Sequence, residues 1–385
     1  MQPKTARVMA GVPDRNNTLF HRIRFPLGGP CAILEIPEGD TMLSTLLIRD
    51  IEVERARKTA RADRVHPPAD FAPAKGLSGD RETATAQAAA ECARRAGVRR
   101  VVADRTLPMI FADEFIRAGI AVECDRDWGV LERRRKFAED LDHIRECQRI
   151  TMETIRMACE AIARARPDKV GVLQHENATL TAERVMQMID SFLLARGYQN
   201  PGSIVSGPPH GGDCHAHGTG PLHTGAPIII DIYPRSMKTR YNGDCTRTVV
   251  NGTPTDEARR MHRTVLAAKA AATQATRAGV TGDQVYRATI APIHAANYGV
   301  GLPPDGAPPE YCSMQHGTGH GLGLDVHEPP YLAEGGEALI DGDVVTIEPG
   351  LYSVKHGGIR VEDIASVRSD GCEVLGTLHE GLEWA

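Results

Sequence analysis

The nine cysteines include no Cys-x-x-Cys pair, and their number is odd. A disulfide framework and a thiolate zinc site are thereby disfavoured, and free thiols in a reducing cytoplasm are expected. Aromatic residues make up only 4% of the chain, too few for a platform that stacks single-stranded bases. Neither sign of charge dominates: 45 Lys+Arg oppose 50 Asp+Glu, for a formal net charge of −5. Nucleic acid is therefore not an expected partner, because phosphate binding needs a basic surface. No apolar run reaches the ~18 residues that span a bilayer, so no membrane partner is expected. The opening Met1-Gln-Pro-Lys-Thr-Ala-Arg has no apolar core of the signal-peptide kind.

What is present is ordinary globular composition, with 41% hydrophobic and 25% charged residues in 385. At roughly 100–200 residues per domain, that length predicts two domains. The first, 1–133, reads as a small α/β unit. Strand-like runs at Cys31–Ile36 and Val98–Ala103 accompany helical patterns around Glu82–Arg95 and Met109–Ala118, and no catalytic constellation is evident. The second, 134–385, opens on Arg133-Arg-Arg-Lys136, read as a solvated helix start. A helical pattern follows over about 140–166, with Ile144, Ile150, Ile155 and Ile162 on one face.

The second domain reads as one plan used twice. Helices at about 140–166 and 182–196 precede strand-like runs at 227–232 and 241–250. Helices at about 256–278 and 283–298 precede runs at 343–348 and 359–365. Thr181 and Thr281 are placed as helix N-caps, and Gly197 and Gly279 as helix stops. Each strand pair carries two acids: Asp231 and Asp244, then Glu348 and Glu362. Two antiparallel strands can set such residues opposite each other, with Cβ atoms ~5 Å apart. Four buried carboxylates cannot stay ionised unaided, whereas two divalent cations would balance them. A neutral imidazole is the natural fifth ligand. Met314-Gln-His-Gly-Thr-Gly-His-Gly-Leu-Gly-Leu-Asp-Val-His327 offers candidates, and its glycines argue against a zincin-type helix. If this segment is extended, His316 and His320 lie about 13 Å apart; one is then a ligand and the other faces substrate.

The ordered set Asp231…Asp244-x-Thr-Arg-Thr, Gly319-His-Gly-x-Gly-Leu-x-x-His-Glu, Thr346-x-Glu-Pro-Gly-x-Tyr and Gly358-Ile-Arg-x-Glu-Asp resembles the pita-bread metallopeptidases. That family includes aminopeptidase P, prolidase, methionine aminopeptidase and the metal-free creatinase. The resemblance implies an α+β fold: a pita-bread catalytic domain of two pseudo-symmetric helix-helix-hairpin halves. A creatinase/prolidase-type N-terminal domain, which the opening Ala10-Gly-Val-Pro-Asp-Arg-Asn-Asn-Thr-Leu-Phe resembles, would precede it. One departure is visible: Asp231 and Asp244 are 13 apart, where the family usually has about 11. An even lengthening preserves strand parity.

Carried over by position, the resemblance implies Asp231 on one metal, Asp244 and Glu362 bridging, and His320 and Glu348 on the second. His327 and His215 would act on the substrate side as catalytic groups, with His217 an alternative to His215. His316 and Arg360 would bind substrate, and Glu348 would also handle the proton of a bridging water made hydroxide at neutral pH. Two divalent cations are implied, manganese first among manganese, cobalt, zinc and iron. The implied activity is exopeptidase cleavage of Xaa-Pro bonds in short proline-containing peptides, as dipeptidase or aminopeptidase, by a homodimer or larger homo-oligomer. Creatinase-like C–N hydrolysis and a non-catalytic peptide-binding module are the alternatives on the same fold.

Overall fold

The computed structural model describes residues 4–384, and the chain divides between Arg133 and Arg134 into two compact units. In the first, a six-stranded mixed sheet runs in the order Arg64–His66, Thr41–Leu47, Cys31–Glu38, Lys4–Gly11, Val98–Asp104, Ala121–Asp125. Alternation along these strands fills both faces. Val8, Leu34 and Leu47 pack on one side with the helix Arg81–Arg95, while Met9, Ile33 and Leu46 pack on the other. This is the small α/β unit expected.

Elements of the second unit are numbered along the chain. Its first half contains α1 (Ala138–Ala163), α2 (Ala182–Leu194), β1 (Ser203–Ser206), β2 (Pro227–Ile232) and β3 (Cys245–Val250). The second half contains α3 (Asp256–Ala275), α4 (Gly282–Ala295), β4 (Gly319–Gly321), β5 (Glu328–Leu332), β6 (Val344–Ile347), β7 (Gly350–Ser353), β8 (Gly357–Arg360), β9 (Asp363–Val367) and β10 (Cys372–Val374). Helix α1 buries the stripe Leu141, Ile144, Ile150, Ile155, Ala158 and Ile162 and packs against β2 and β3. Each such fully buried isoleucine contributes roughly 1.5–3 kcal/mol. Thr181 and Thr281 cap α2 and α4 as the sequence predicts, accepting from Arg184 N and Gln284 N. Thr255 does the same for α3. Gly197 follows α2 at φ +79°, a conformation costly to any side chain with a Cβ.

The strands form an antiparallel β1-β2-β3 sheet and a five-stranded sheet ordered β5-β4-β6-β9-β10. Strands β7 and β8 pair in a further sheet with Ser313–Met314. Three expectations need correction. The run 359–365 is not one strand: β8 ends at Arg360, β9 begins at Asp363, and the chain changes sheets through Val361 and Glu362. The run 241–250 becomes strand only at Cys245. The basic cluster is not wholly solvated either. Arg134, 2% exposed, donates to Asp343, Glu337 and the Ala338 carbonyl, and Lys136 is buried against Glu328 at 2.8 Å. Charge counting alone does not reveal those acidic partners, which lie about 200 positions away in sequence.

Candidate metal centre

Asp231 sits near the end of β2, directly opposite Thr246 on β3. Asp244 lies two places before Thr246, so it shares that face by strand parity but is diagonal to Asp231 rather than opposite. The intervening turn explains the offset. Arg235–Ser236 pairs with Tyr198–Gln199 in a separate two-stranded ribbon, and Arg235 bridges to Asn242. The longer turn is thus housed outside the main sheet. Gly243 then passes α1 so closely that a Cβ would lie 2.3 Å from Thr151 Oγ1. That approach delivers the Asp244 backbone to Gln148, which donates to its carbonyl at 2.9 Å and accepts from its N–H at 3.0 Å.

In the second half, the β6–β9 ladder ends at Ile347 opposite Asp363. Glu348 and Glu362 each flank this last pair, Glu348 N donating to the Thr318 carbonyl at 2.8 Å, and both line one cavity. Thr246 Oγ1 donates to Glu362 Oε2 at 2.7 Å, and Glu362 N donates to the Thr246 carbonyl at 3.0 Å. The two halves therefore meet at Thr246 and Glu362. His320 enters on β4, where its backbone N–H donates to Thr346 Oγ1 at 3.0 Å. A Cβ on Gly319 would fall 2.0 Å from the Thr346 carbonyl, so only glycine lets β4 lie this close to β6.

A cavity of about 370 Å³ is lined by Asp231, Asp244, His320, Glu348 and Glu362, together with His215, His217, His316, His327 and Arg360. Asp244, His320 and Glu362 each offer a ligand atom within 4.8 Å of the other two. His320 Nδ1 lies 3.1 Å from the Gly321 carbonyl, to which it donates, and its Nε2 is 3.5 Å from Glu348 Oε1 and 3.8 Å from Asp244 Oδ2. That tautomer turns a lone pair toward the carboxylates, as a metal-ligating imidazole must. Burial, helped by neighbouring His327, lowers the His320 pKa to about 4, so the ring is neutral at pH 7.

The carboxylates show the opposite pressure. Burial first, then neighbouring carboxylates, pushes Asp244 and Glu362 well above the usual range. Burial raises Glu348 to about 7, against the pull of Arg360. Asp231 Oδ1 is buried with no hydrogen-bond partner among the described residues. An orphaned acceptor, a lone pair from a neutral imidazole and three carboxylates resisting ionisation form a donor set suited to divalent cations.

The remaining predicted residues divide by what they touch. Arg360, 3% exposed, donates from Nε to Thr246 Oγ1 at 3.2 Å. Its Nη1 donates to Tyr352 Oη at 2.8 Å and the Cys214 carbonyl at 3.1 Å, and its Nη2 donates to Asp231. A guanidinium so engaged fixes protein groups, Asp231 among them, while still lining the cavity. His316 Nδ1 donates to the Gly317 carbonyl at 2.8 Å, so its Nε2 accepts from Tyr352 Oη at 2.6 Å. His316 therefore lines the cavity with both nitrogens already bonded. Burial lowers its pKa to about 3. His327 lies with its ring centroid 4.1 Å from that of His320, and burial lowers its pKa. His215 is exposed at the mouth with Nδ1 3.7 Å from Cys214 Sγ, while His217 Nδ1 is 2.9 Å from the Ser203 carbonyl. Sequence reasoning missed Gln148, Thr246 and Tyr352. The last two lie inside quoted motifs, and Gln148 is a polar interruption of the apolar face of α1.

The sequence profile described as metallopeptidase family M24 matches residues 142–369. An Xaa-Pro dipeptidase from Pyrococcus horikoshii is 29% identical over 289 residues, covering 68% of this chain and 76% of that protein. Among solved structures, an Xaa-Pro dipeptidase from Bacillus anthracis superimposes with a TM-score of 0.78 at 20% identity, covering 98% of this chain and 94% of the other. An X-Pro aminopeptidase from Thermotoga maritima does so with a TM-score of 0.75 at 18% identity, covering 98% and 97%.

Proposed function

The chain belongs to metallopeptidase family M24 and has its pita-bread fold, and from that premise we propose that it is a dinuclear exopeptidase hydrolysing Xaa-Pro bonds. The observation that carries this reading is the convergence of Asp231, Asp244, His320, Glu348 and Glu362 on one cavity, with an unpartnered Asp231 oxygen and a neutral His320 aimed inward. Asp231 would hold one cation, Asp244 and Glu362 would lie between two, and His320 and Glu348 would hold the second. Bound divalent cations supply water activation near neutral pH and polarisation of the scissile carbonyl.

The chain's own residues do the rest. Glu348 takes a proton from the attacking water as its oxygen bonds to the carbonyl carbon. As the C–N bond breaks, that proton passes to the departing nitrogen. His327 offers an N–H to the oxyanion, with His215 or His217 at the mouth beside the peptide chain. Arg360 and Tyr352 hold Asp231 and His316 in place throughout. The unit 1–133 serves as a creatinase/prolidase-type N-terminal domain. Manganese is the first choice of metal, a homodimer the first choice of assembly, and the cytoplasm the site of action. No helix among the described residues is long and apolar enough to cross a membrane.

The test is a panel of Xaa-Pro dipeptides, Xaa-Pro-Yaa tripeptides and proline-free controls, assayed with Mn²⁺ and after exhaustive chelation. Proline-dependent cleavage that chelation abolishes is expected. Cleavage that persists with all bound metal removed would defeat the proposal.

A further inference from the structure

We propose that Arg247 is a positioning residue for the candidate metal centre, locked from behind by the segment 377–384, so that this distant segment tunes the cavity's affinity for divalent cations. The inference rests on the reading that the cavity holds cations. Its basis is a pairing of two faces. Side chains alternate along an extended chain, so Thr246 and Arg247 on β3 point to opposite sides, as do Glu362 and Asp363. On the cavity side Thr246 Oγ1 donates to Glu362 at 2.7 Å. On the far side Arg247 Nη2 donates to Asp363 Oδ1 at 2.7 Å. The cavity-side bond that orients Glu362 is thus backed by an ion pair one residue along both segments.

Arg247 is fully buried, and protein groups surround its fork. Its Nη1 donates to the Glu362 carbonyl and, at 2.9 Å, to the Thr246 carbonyl. Its Nε donates to the His379 carbonyl at 2.8 Å and its Nη2 to the Leu378 carbonyl at 3.3 Å. One planar group therefore ties the backbone of Glu362 to two carbonyls of a segment that never enters the cavity. Lysine, a point charge on a flexible stem, cannot reproduce this fork.

The segment is itself held at several points. Lys269 on α3 pairs with both Asp363 and Glu380. His262 Nε2 is 2.7 Å from the Glu380 carbonyl, and Val250 N donates to the Leu382 carbonyl at 2.8 Å. Leu382 is buried in the cluster that contains Val250, Ile359 and Val361. The segment consequently grips β3 and the Glu362–Asp363 crossing together, which fixes how far Asp244 stands from Glu362.

The experiment measures Mn²⁺ affinity by calorimetry on the full-length chain, for the unsubstituted protein and for Arg247→Lys and Glu380→Gln, well below each variant's unfolding midpoint. Residues that orient metal ligands typically change affinity by about 10–100-fold, so a loss of about tenfold for Arg247→Lys and about threefold for Glu380→Gln is expected. A purely structural role would lower the unfolding midpoint and leave the affinity of the folded protein unchanged; that result overturns the inference. Glu380 is 42% exposed at its side chain, so its variant decides the matter if Arg247→Lys does not fold. Absence of Mn²⁺ binding by the unsubstituted protein would instead count against the proposed function.

Discussion

Gln148 and Asp244 exchange two hydrogen bonds, side-chain amide to backbone in both directions, at 2.9 and 3.0 Å. The pair joins α1 to the start of β3 and is 1% and 4% exposed. Gln148→Leu would leave a buried N–H and a buried carbonyl without partners, at a cost of roughly 2–4 kcal/mol. Chemical denaturation should show this loss of stability. Mn²⁺ affinity should fall in parallel, because Asp244 loses its anchor.

Cation binding should release protons. Asp244 and Glu362 are held well above their ordinary range, and Glu348 at about 7, by burial first. The cation-free cavity therefore retains protons at pH 6.5 that a ligating carboxylate must give up. Calorimetry at that pH in buffers of differing ionisation enthalpy should show net release, with apparent affinity rising from pH 6 to 8. The sign for stability follows the same shift. The folded pKa of Glu348 exceeds its unfolded value, so the unfolded chain ionises first, and cation-free protein loses stability as pH rises toward about 7. The buried histidines act in the opposite sense over an overlapping window: their folded pKa values are depressed, so their contribution is present above the unfolded pKa of 6.5 and lost as pH falls toward about 3 to 4.

His327→Ala should separate chemistry from cation binding. The ring stacks edge-on against His320 without serving as one of the proposed ligands. Its loss should lower kcat by roughly 10²–10⁴-fold, the usual range for a positioned proton-transfer or hydrogen-bonding group. Metal stoichiometry should stay at the unsubstituted value, and a fall in stoichiometry would assign the ring to the metal instead.

Tyr352→Phe removes the hydroxyl that accepts from Arg360 and donates to His316. His316 Nε2 and one guanidinium N–H are then left unpaired in a buried site, which costs roughly 1–3 kcal/mol in stability. A drop in kcat/KM of about tenfold is expected as Asp231 loses its fixed neighbour, equivalent to about 1.4 kcal/mol of transition-state stabilisation.

Helices were the most legible part of the sequence, because amphipathic spacing and threonine caps are local signals. The five proposed ligands could be picked out because each lies in a short motif that resembles the family's, in the family's order. Long-range partners were not legible. Gln148 acts on a residue 96 positions away, and Arg134 finds Asp343 across 209; no periodicity encodes such pairings. Nor could the sequence show that Arg360 and His316 have their hydrogen bonds taken up by Tyr352, Asp231 and Gly317, since motif spacing places a side chain without saying which way its donors point. The sheet change at Val361–Glu362 was hidden for a related reason: a continuous β-prone run reads the same whether it serves one sheet or two.

The ribbon at 233–244 has a bearing on how this architecture tolerates change. Its additional length lies beside Tyr198–Gln199, where the chain can loop outward without disturbing β2 or β3. Further growth in pairs of residues should be absorbed there silently. A single added residue between Asp244 and Cys245, by contrast, would invert the alternation, turning Asp244 out of the cleft and setting the added residue in its place.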